Sequence, residues 1–196
     1  MMTRIFLAGL LGAIAMFAWN FVAHMLLPLG DLGVSQIPNQ SAVLSALQTN
    51  FGEQRGMFFF PTPELGPGEK MHDKQVMERM ASEYESKPTG IIVYRPPGRP
   101  FAFGKWLARE FGFQFIESLL AAYLLAQAAL FPYLKRVVFV TIIGVIVAIT
   151  TNMSYWNWYG FPKLYTLSYM FTQAMGYFCA ALVIAAILKT VQIRTA

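Results

Sequence analysis

The sequence predicts a mainly α fold: a four-transmembrane-helix bundle with a small α/β extramembrane cap inserted between helices 1 and 2. Three observations carry this. Charge is scarce, at 13% of 196 residues, about half the share usual in soluble domains. The scarcity is concentrated in blocks about as long as the roughly 20 residues a helix needs to cross a bilayer. The polar remainder forms one continuous stretch, 28–105, whose local patterns switch between helix and strand.

The first block, Ile5 to Leu27, holds no Lys, Arg, Asp or Glu, and predicts a span at about 4–27. It is too long for the apolar core of a cleavable signal peptide. The stretch Trp19-Asn20-Phe21-Val22-Ala23-His24 also lacks a small-x-small cleavage site, so a retained anchor is expected. A second span is expected at 106–131, although it carries Arg109, Glu110 and Glu117. Val137 to Leu188 is apolar apart from Lys163, which predicts spans at 135–153 and 163–189 around a polar turn. The chain then divides into 1–27 as the first transmembrane helix, 28–105 as the cap, and 106–196 as a three-helix bundle with an aromatic external loop.

Basic residues near the ends of spans set orientation. With the N-terminus inside, Arg4, Lys135, Arg136, Lys189 and Arg194 fall on the cytoplasmic side and only Lys163 lies in the short opposite loop. The cap carries eight basic and eight acidic residues and gives no bias. Both termini are therefore expected in the cytoplasm, with 28–105 external. The net charge of +5 lies largely on the inner rim, where it suits anionic lipid headgroups. No basic stripe with stacking aromatics accompanies it, which removes a nucleic-acid reading.

Within the cap, Asn39 is placed to cap a helix from Ser41 to Phe51, with Val43, Leu44 and Leu47 on one face. Gly56-Met57-Phe58-Phe59-Phe60, stopped by Pro61, reads as a strand, as does Gly90 to Tyr94 before Pro96-Pro97-Gly98. Met71 to Ser86 reads as the best external helix, with Val76, Met80 and Tyr84 four apart. Pairing of the two strands is expected. So small a sheet is marginal alone, which calls for support from the bundle or a partner.

The most informative residue is Glu117, an acid deep in an otherwise apolar helix. A charged carboxyl facing lipid there costs about 2.5–3.5 kcal/mol on insertion scales, so it must be neutral, paired or turned toward protein. At 1.5 Å per residue, His24 lies about 6 Å and Asn20 about 12 Å below the outer end of helix 1. Glu110, Gln114 and Glu117 lie about 6, 12 and 17 Å into helix 2, and Gln173 about 15 Å into helix 4. Glu110, Gln114, Glu117, Ser118 and Ala121 share one helical face. A polar seam in the outer leaflet is expected, with Gly9, Gly12 and Ala13 permitting close helix approach.

Two readings of the seam stand side by side. It holds a ligand or water, with Glu117 as a proton-binding group, or its amides only join helices. His24 could ligate a haem or chlorophyll-type metal, or simply form a hydrogen bond. A carboxylate-bridged di-metal site needs a Glu-x-x-His from each of two helices, and none of the four expected spans contains one. The single cysteine, Cys179, allows no intrachain disulfide and no cysteine zinc site.

Between spans three and four, Asn152 to Pro162 includes Tyr155, Trp156, Trp158 and Tyr159, then Phe161. An interfacial aromatic belt explains these. Trp156 and Trp158 are also candidates for a stacking platform over the seam, holding a quinone, lipid or tetrapyrrole pigment.

Gly-Met-Phe-Phe-Phe-Pro at 56–61, Gly-Ile-Ile-Val-Tyr at 90–94 and Tyr-Trp-Asn-Trp-Tyr-Gly-Phe-Pro at 155–162 resemble a family of small bacterial integral membrane proteins of uncharacterised activity, as does the run from His24 to Pro28. The resemblance implies a bacterial inner-membrane location and a four-span plan, and supplies no catalytic residues.

No G-x-S-x-G, Walker loop, H-E-x-x-H or C-x-x-C-H is present. Three functions remain: a non-catalytic accessory or scaffolding subunit of a membrane complex, a hydrophobic-ligand-binding protein, or a proton-coupled transporter or membrane enzyme using Glu117. The sequence names no cofactor. The expected partners are the lipid bilayer and other membrane subunits or further copies of the chain.

Overall fold

The computed structural model describes residues 1–128 and 132–189. They form six α-helices and one two-stranded sheet: α1 (Met2–Phe21), α2 (Gln40–Phe51), β1 (Gly56–Phe60), α3 (Lys74–Ser86), β2 (Gly90–Tyr94), α4 (Phe103–Gln127), α5 (Tyr133–Tyr159) and α6 (Lys163–Ile187). A π-turn, Val22–Leu26, continues α1, and a 3-10 turn, Leu29–Asp31, follows it. The chain divides into two compact units, Gln36–Pro100 and the remainder.

Three helices are long and apolar enough to cross a membrane: Met2–Leu26, Tyr133–Tyr159 and Lys163–Ile187. The expectation of four is thereby corrected to three on this measure. α4 has the length, but its N-terminal part carries Lys105, Arg109, Glu110, Gln114 and Glu117, which lower its apolarity. The third span also runs further than 135–153. The aromatic residues Tyr155 to Tyr159 belong to its last turns, and Gly160, in the left-handed region at φ 67°, closes the helix. Pro132 and Pro162 stand immediately before α5 and α6, where their missing N–H costs nothing.

In the bundle, α1 packs on α4 and α6, and α5 packs on α6, whereas α4 and α5 approach each other less. Small residues make the close contacts: Ala8, Ala13, Ala122, Ala180, Ala181 and Ala185 are fully buried. A Cβ on Gly9 would stand 2.8 Å from Leu119 Cα, so α1 and α4 meet almost backbone to backbone there. Phe6 meets Phe115, and Phe17 meets Phe111, edge-on at 5.6 Å in both pairs. At the opposite end of the bundle, Arg136 donates to Ala185 O (3.2 Å) and Tyr133 to Leu182 O (3.1 Å). The Arg136 bond occupies a carbonyl that the end of α6 leaves without a helical partner.

In the other unit β1 and β2 pair antiparallel, Gly56 opposite Tyr94 and Phe60 opposite Gly90, over the ranges expected. The Phe51 ring packs on Phe58 (4.4 Å) and Tyr94 (5.1 Å), and the Tyr94 hydroxyl donates to Gly52 O at 3.0 Å. The aromatic residues thus join α2 to the sheet. Asn39 precedes α2 at φ 50° but makes no side-chain cap; it accepts from Ser41 Oγ instead, at 3.4 Å. α3 starts at Lys74 rather than Met71, because Asp73 draws the preceding backbone into a turn by accepting from Lys70 N at 2.8 Å. Of its expected face, Val76 is buried while Tyr84 is exposed.

Glu69 organises the loop before α3. Its Oε2 accepts from Gly66 N at 2.8 Å and from Arg79 Nη2 at 2.6 Å, and its Oε1 accepts from Arg79 Nη1 at 3.1 Å. The forked guanidinium contact and the Gly66 amide hold the Glu69 carboxyl down at about 2, from an ordinary 4.5. The same bond raises Arg79.

Candidate functional site

The polar residues of the bundle sort into pairs. Glu117, half-buried on α4, faces protein: the Tyr177 hydroxyl of α6 donates to its Oε2 at 3.3 Å. One turn away on α6, Gln173 Oε1 accepts from Asn152 Nδ2 of α5 at 2.6 Å. Gln173 and Tyr177, at i and i+4, therefore present one polar face of α6. That face joins α5 through Asn152 and α4 through Glu117. Gln114 is buried and donates to Glu110 Oε1, four residues earlier on the same helix, at 3.0 Å.

Two buried atoms, Gln114 Oε1 and Ser118 Oγ, have no hydrogen-bond partner among the described residues. Ser118 Oγ lies against Gly12, on the side where a Cβ would point. A glycine C–H there makes a weak contact with oxygen of the kind found between closely packed helices. The oxygen is sealed by α1 and Ile184, so it serves packing rather than an open pocket.

Asn20 and His24 do not join the Glu117 group through side-chain bonds. His24 is exposed on the π-turn, and its Nδ1 pairs with Asn20 O at 2.9 Å. Its ring meets Tyr169 edge-on at 6.3 Å. Gly30 lies against the imidazole, where a Cβ would come within 2.6 Å of His24 Cδ2. Asn20 Oδ1 is near Gly176, 4.0 Å from the position of a Cβ there. No group of three or more His, Cys, Asp or Glu able to hold a metal exists among the described residues.

Trp156 and Trp158 are exposed in the last turns of α5, with Trp156 one helical turn beyond Asn152. With Met153, Ser154 and Asn157 they line an open depression of ≈ 290 Å³. The neighbouring rings take another course. Tyr159, Tyr155, Phe161, Tyr165, Tyr169 and His24 form a continuous row with centroid separations of 4.4–6.3 Å. The expected loop over the seam is thus replaced by a helix end, whose tyrosines pack along α6 while its tryptophans face outward.

The sequence reading missed Tyr177 and Asn152 as partners, and the bond from Trp19 Nε1 to Thr172 O at 2.9 Å. Tyr177 had a usable signal, lying four residues after Gln173. Ser168, whose hydroxyl donates to Leu29 O at 2.6 Å, had none, because that partner is backbone 139 positions away. The chain matches no family model, no curated protein and no solved structure.

Proposed function

We propose that the protein is a multi-pass integral membrane protein of a bacterial inner membrane, and that it acts as a non-catalytic accessory or scaffolding subunit of a larger assembly. In this reading α4 crosses the bilayer together with α1, α5 and α6. Both termini are cytoplasmic and residues 28–105 are external. Support for the crossing comes from the packing of α4 on α1 and from Glu117 turning to Tyr177 instead of outward. The alternation of Lys135 and Arg136 with Lys163 supports the orientation. The motif around Tyr155 to Pro162 belongs to the same proposal.

One observation carries the non-catalytic reading: Glu117 and Gln173 are each engaged by a side chain of a neighbouring helix. Glu117 meets Tyr177, Gln173 meets Asn152, and Gln114 meets Glu110. A reaction centre needs groups held ready for substrate, whereas the first two of these pairs fix the relation of α4, α5 and α6 and the third lies within α4. Affinity purification in mild detergent, with and without prior cross-linking in the membrane, tests the reading. Reproducible co-purification of a discrete membrane partner supports it; recovery of the protein alone under both conditions overturns it.

A second reading rests on the depression beside Trp156 and Trp158, whose aromatic and amide lining suits a lipid headgroup or a quinone ring. Organic extraction and an absorption spectrum of the purified protein test it. An extract and a spectrum free of any stoichiometric small molecule would dismiss this reading.

A further inference from the structure

We infer that Glu117 is a proton-binding site: its carboxyl is carried as the neutral acid inside the bundle, with the proton as its ligand and the Tyr177 hydroxyl as its hydrogen-bond partner. The inference goes beyond the accessory reading and rests on the placement of α4 in the bilayer proposed with it.

A buried carboxylate is sustained by a cation, a metal, or several hydrogen-bond donors. Glu117 accepts a bond from a neutral hydroxyl at 3.3 Å, and no Lys or Arg pairs with it among the described residues. The surrounding helices offer nothing better. On α1, Ile5 to Ala23 contains no titratable side chain. On α5 the same holds from Val137 to Ser154. Between Lys163 and Lys189, α6 contributes only Tyr165, Tyr169, Tyr177 and Cys179. The nearest charged neighbours on α4 are Glu110 and Arg109, about 10 and 12 Å up the helix at 1.5 Å per residue. Glu110 has the wrong sign, and both are exposed. On α5 the buried Arg136 donates to Ala185 O, about 12 Å along α6 from Tyr177 at 1.5 Å per residue, and among the described residues no cation forms an ion pair with Glu117.

Gln114 sharpens the contrast. An amide at that depth joins helices without any ionisable group, as Asn152 and Gln173 do, and Gln114 is an amide three residues from Glu117. Only at 117 does it place an acid, half-buried where Gln114 is sealed. A half-buried acid bonded to a hydroxyl is able to exchange its proton.

The test is infrared difference spectroscopy of the full-length protein in native membrane vesicles at neutral pH, comparing wild type with Glu117→Gln. A carbonyl stretch of a protonated carboxyl, present in wild type, absent in Glu117→Gln and shifted in Tyr177→Phe, is the expected result. Absence of that band from wild type overturns the inference. A band seen after purification but not in native membranes also overturns it, and assigns the charge to a partner's cation. Carbodiimide labelling separates this failure from failure of the membrane placement. The acid proton moves to a carbodiimide nitrogen while a carboxyl oxygen bonds the central carbon, and nothing leaves. A bilayer-soluble carbodiimide is expected to label Glu117, and a water-soluble one Glu110 instead. Labelling of Glu117 by the water-soluble reagent refutes the placement of α4, and the inference with it.

Discussion

Gly144 of α5 makes the place in which Tyr177 of α6 stands: a Cβ added to Gly144 would lie 2.6 Å from Tyr177 Cγ. The ring that reaches Glu117 is thus positioned by the absence of a side chain on a third helix. Gly144→Ala is expected to cost about 1–3 kcal/mol through overpacking. Gly112→Ala, where nothing lies within 4 Å, is expected to be neutral or stabilising by up to about 1 kcal/mol. Reversible unfolding in mixed micelles distinguishes them, and equal effects would contradict the packing described.

The Glu117–Tyr177 bond is expected to show a coupling energy of about 0.6 kcal/mol, and below roughly 1.7, as is usual between membrane helices. A double-mutant cycle with Glu117→Gln and Tyr177→Phe measures it. Strict additivity would mean that the two side chains do not interact in the folded protein.

Asn152 and Gln173 make a different prediction, because each satisfies the other. Asn152→Leu leaves the Gln173 carbonyl oxygen without its donor and is expected to cost about 1–3 kcal/mol. Replacing both residues with leucine removes the orphan and should recover most of that loss. A double variant less stable than the sum of its singles would refute the pairing.

In the cap, stability is tied to acid pH through Glu69. Its carboxyl titrates at about 2 when folded, below an ordinary 4.5, because Arg79 and the Gly66 amide bind the ionised form. Folding therefore favours loss of the proton. The contribution is fully present above the unfolded value and is lost as pH falls from about 4.5 toward 2. Amide exchange at Gly66, taken relative to the intrinsic rate, should lose protection across that window. Arg79→Ala should move the loss to higher pH.

Orientation is tested with single cysteines in a Cys179→Ser background. Cysteines replacing Ser82 and Asn157 are expected to react with a membrane-impermeant maleimide in intact cells, and one replacing Lys135 only after permeabilisation. Reaction at 82 without reaction at 157 would show that the stretch from α4 to the end of α5 crosses the bilayer once rather than twice.

Much of the fold was legible in the sequence. The strands Gly56–Phe60 and Gly90–Tyr94 were readable because Pro61 and Arg95-Pro96 bound short apolar runs. Three apolar blocks gave α1, α5 and α6 within a few residues, except at the end of α5. There Tyr155 to Tyr159 looked like a loop because aromatics and asparagines break apolar periodicity, although nothing in them stops a helix before Gly160. Depth along each helix brought Glu117 and Gln173 to one level, but not their rotation about the axis. Rotation decided the partners: Tyr177 for Glu117, Asn152 for Gln173. His24 was legible in depth and not in role, since its bond to Asn20 O depends on a local π-turn that no periodicity announces.

That π-turn has a consequence for how length is accommodated. Leu27 N reaches back five residues to Val22 O, at 3.0 Å, so the turn contains one residue more than an α-turn. Losing one residue between 22 and 26 would let the segment relax into ordinary α winding, with Gly9, Gly12 and Met16 still facing their neighbours. The same deletion nearer the start of α1 would swing every later side chain by about 100°. Length variation in this helix is therefore absorbed at its exit, where His24 rides, and excluded from the part that touches α4 and α6.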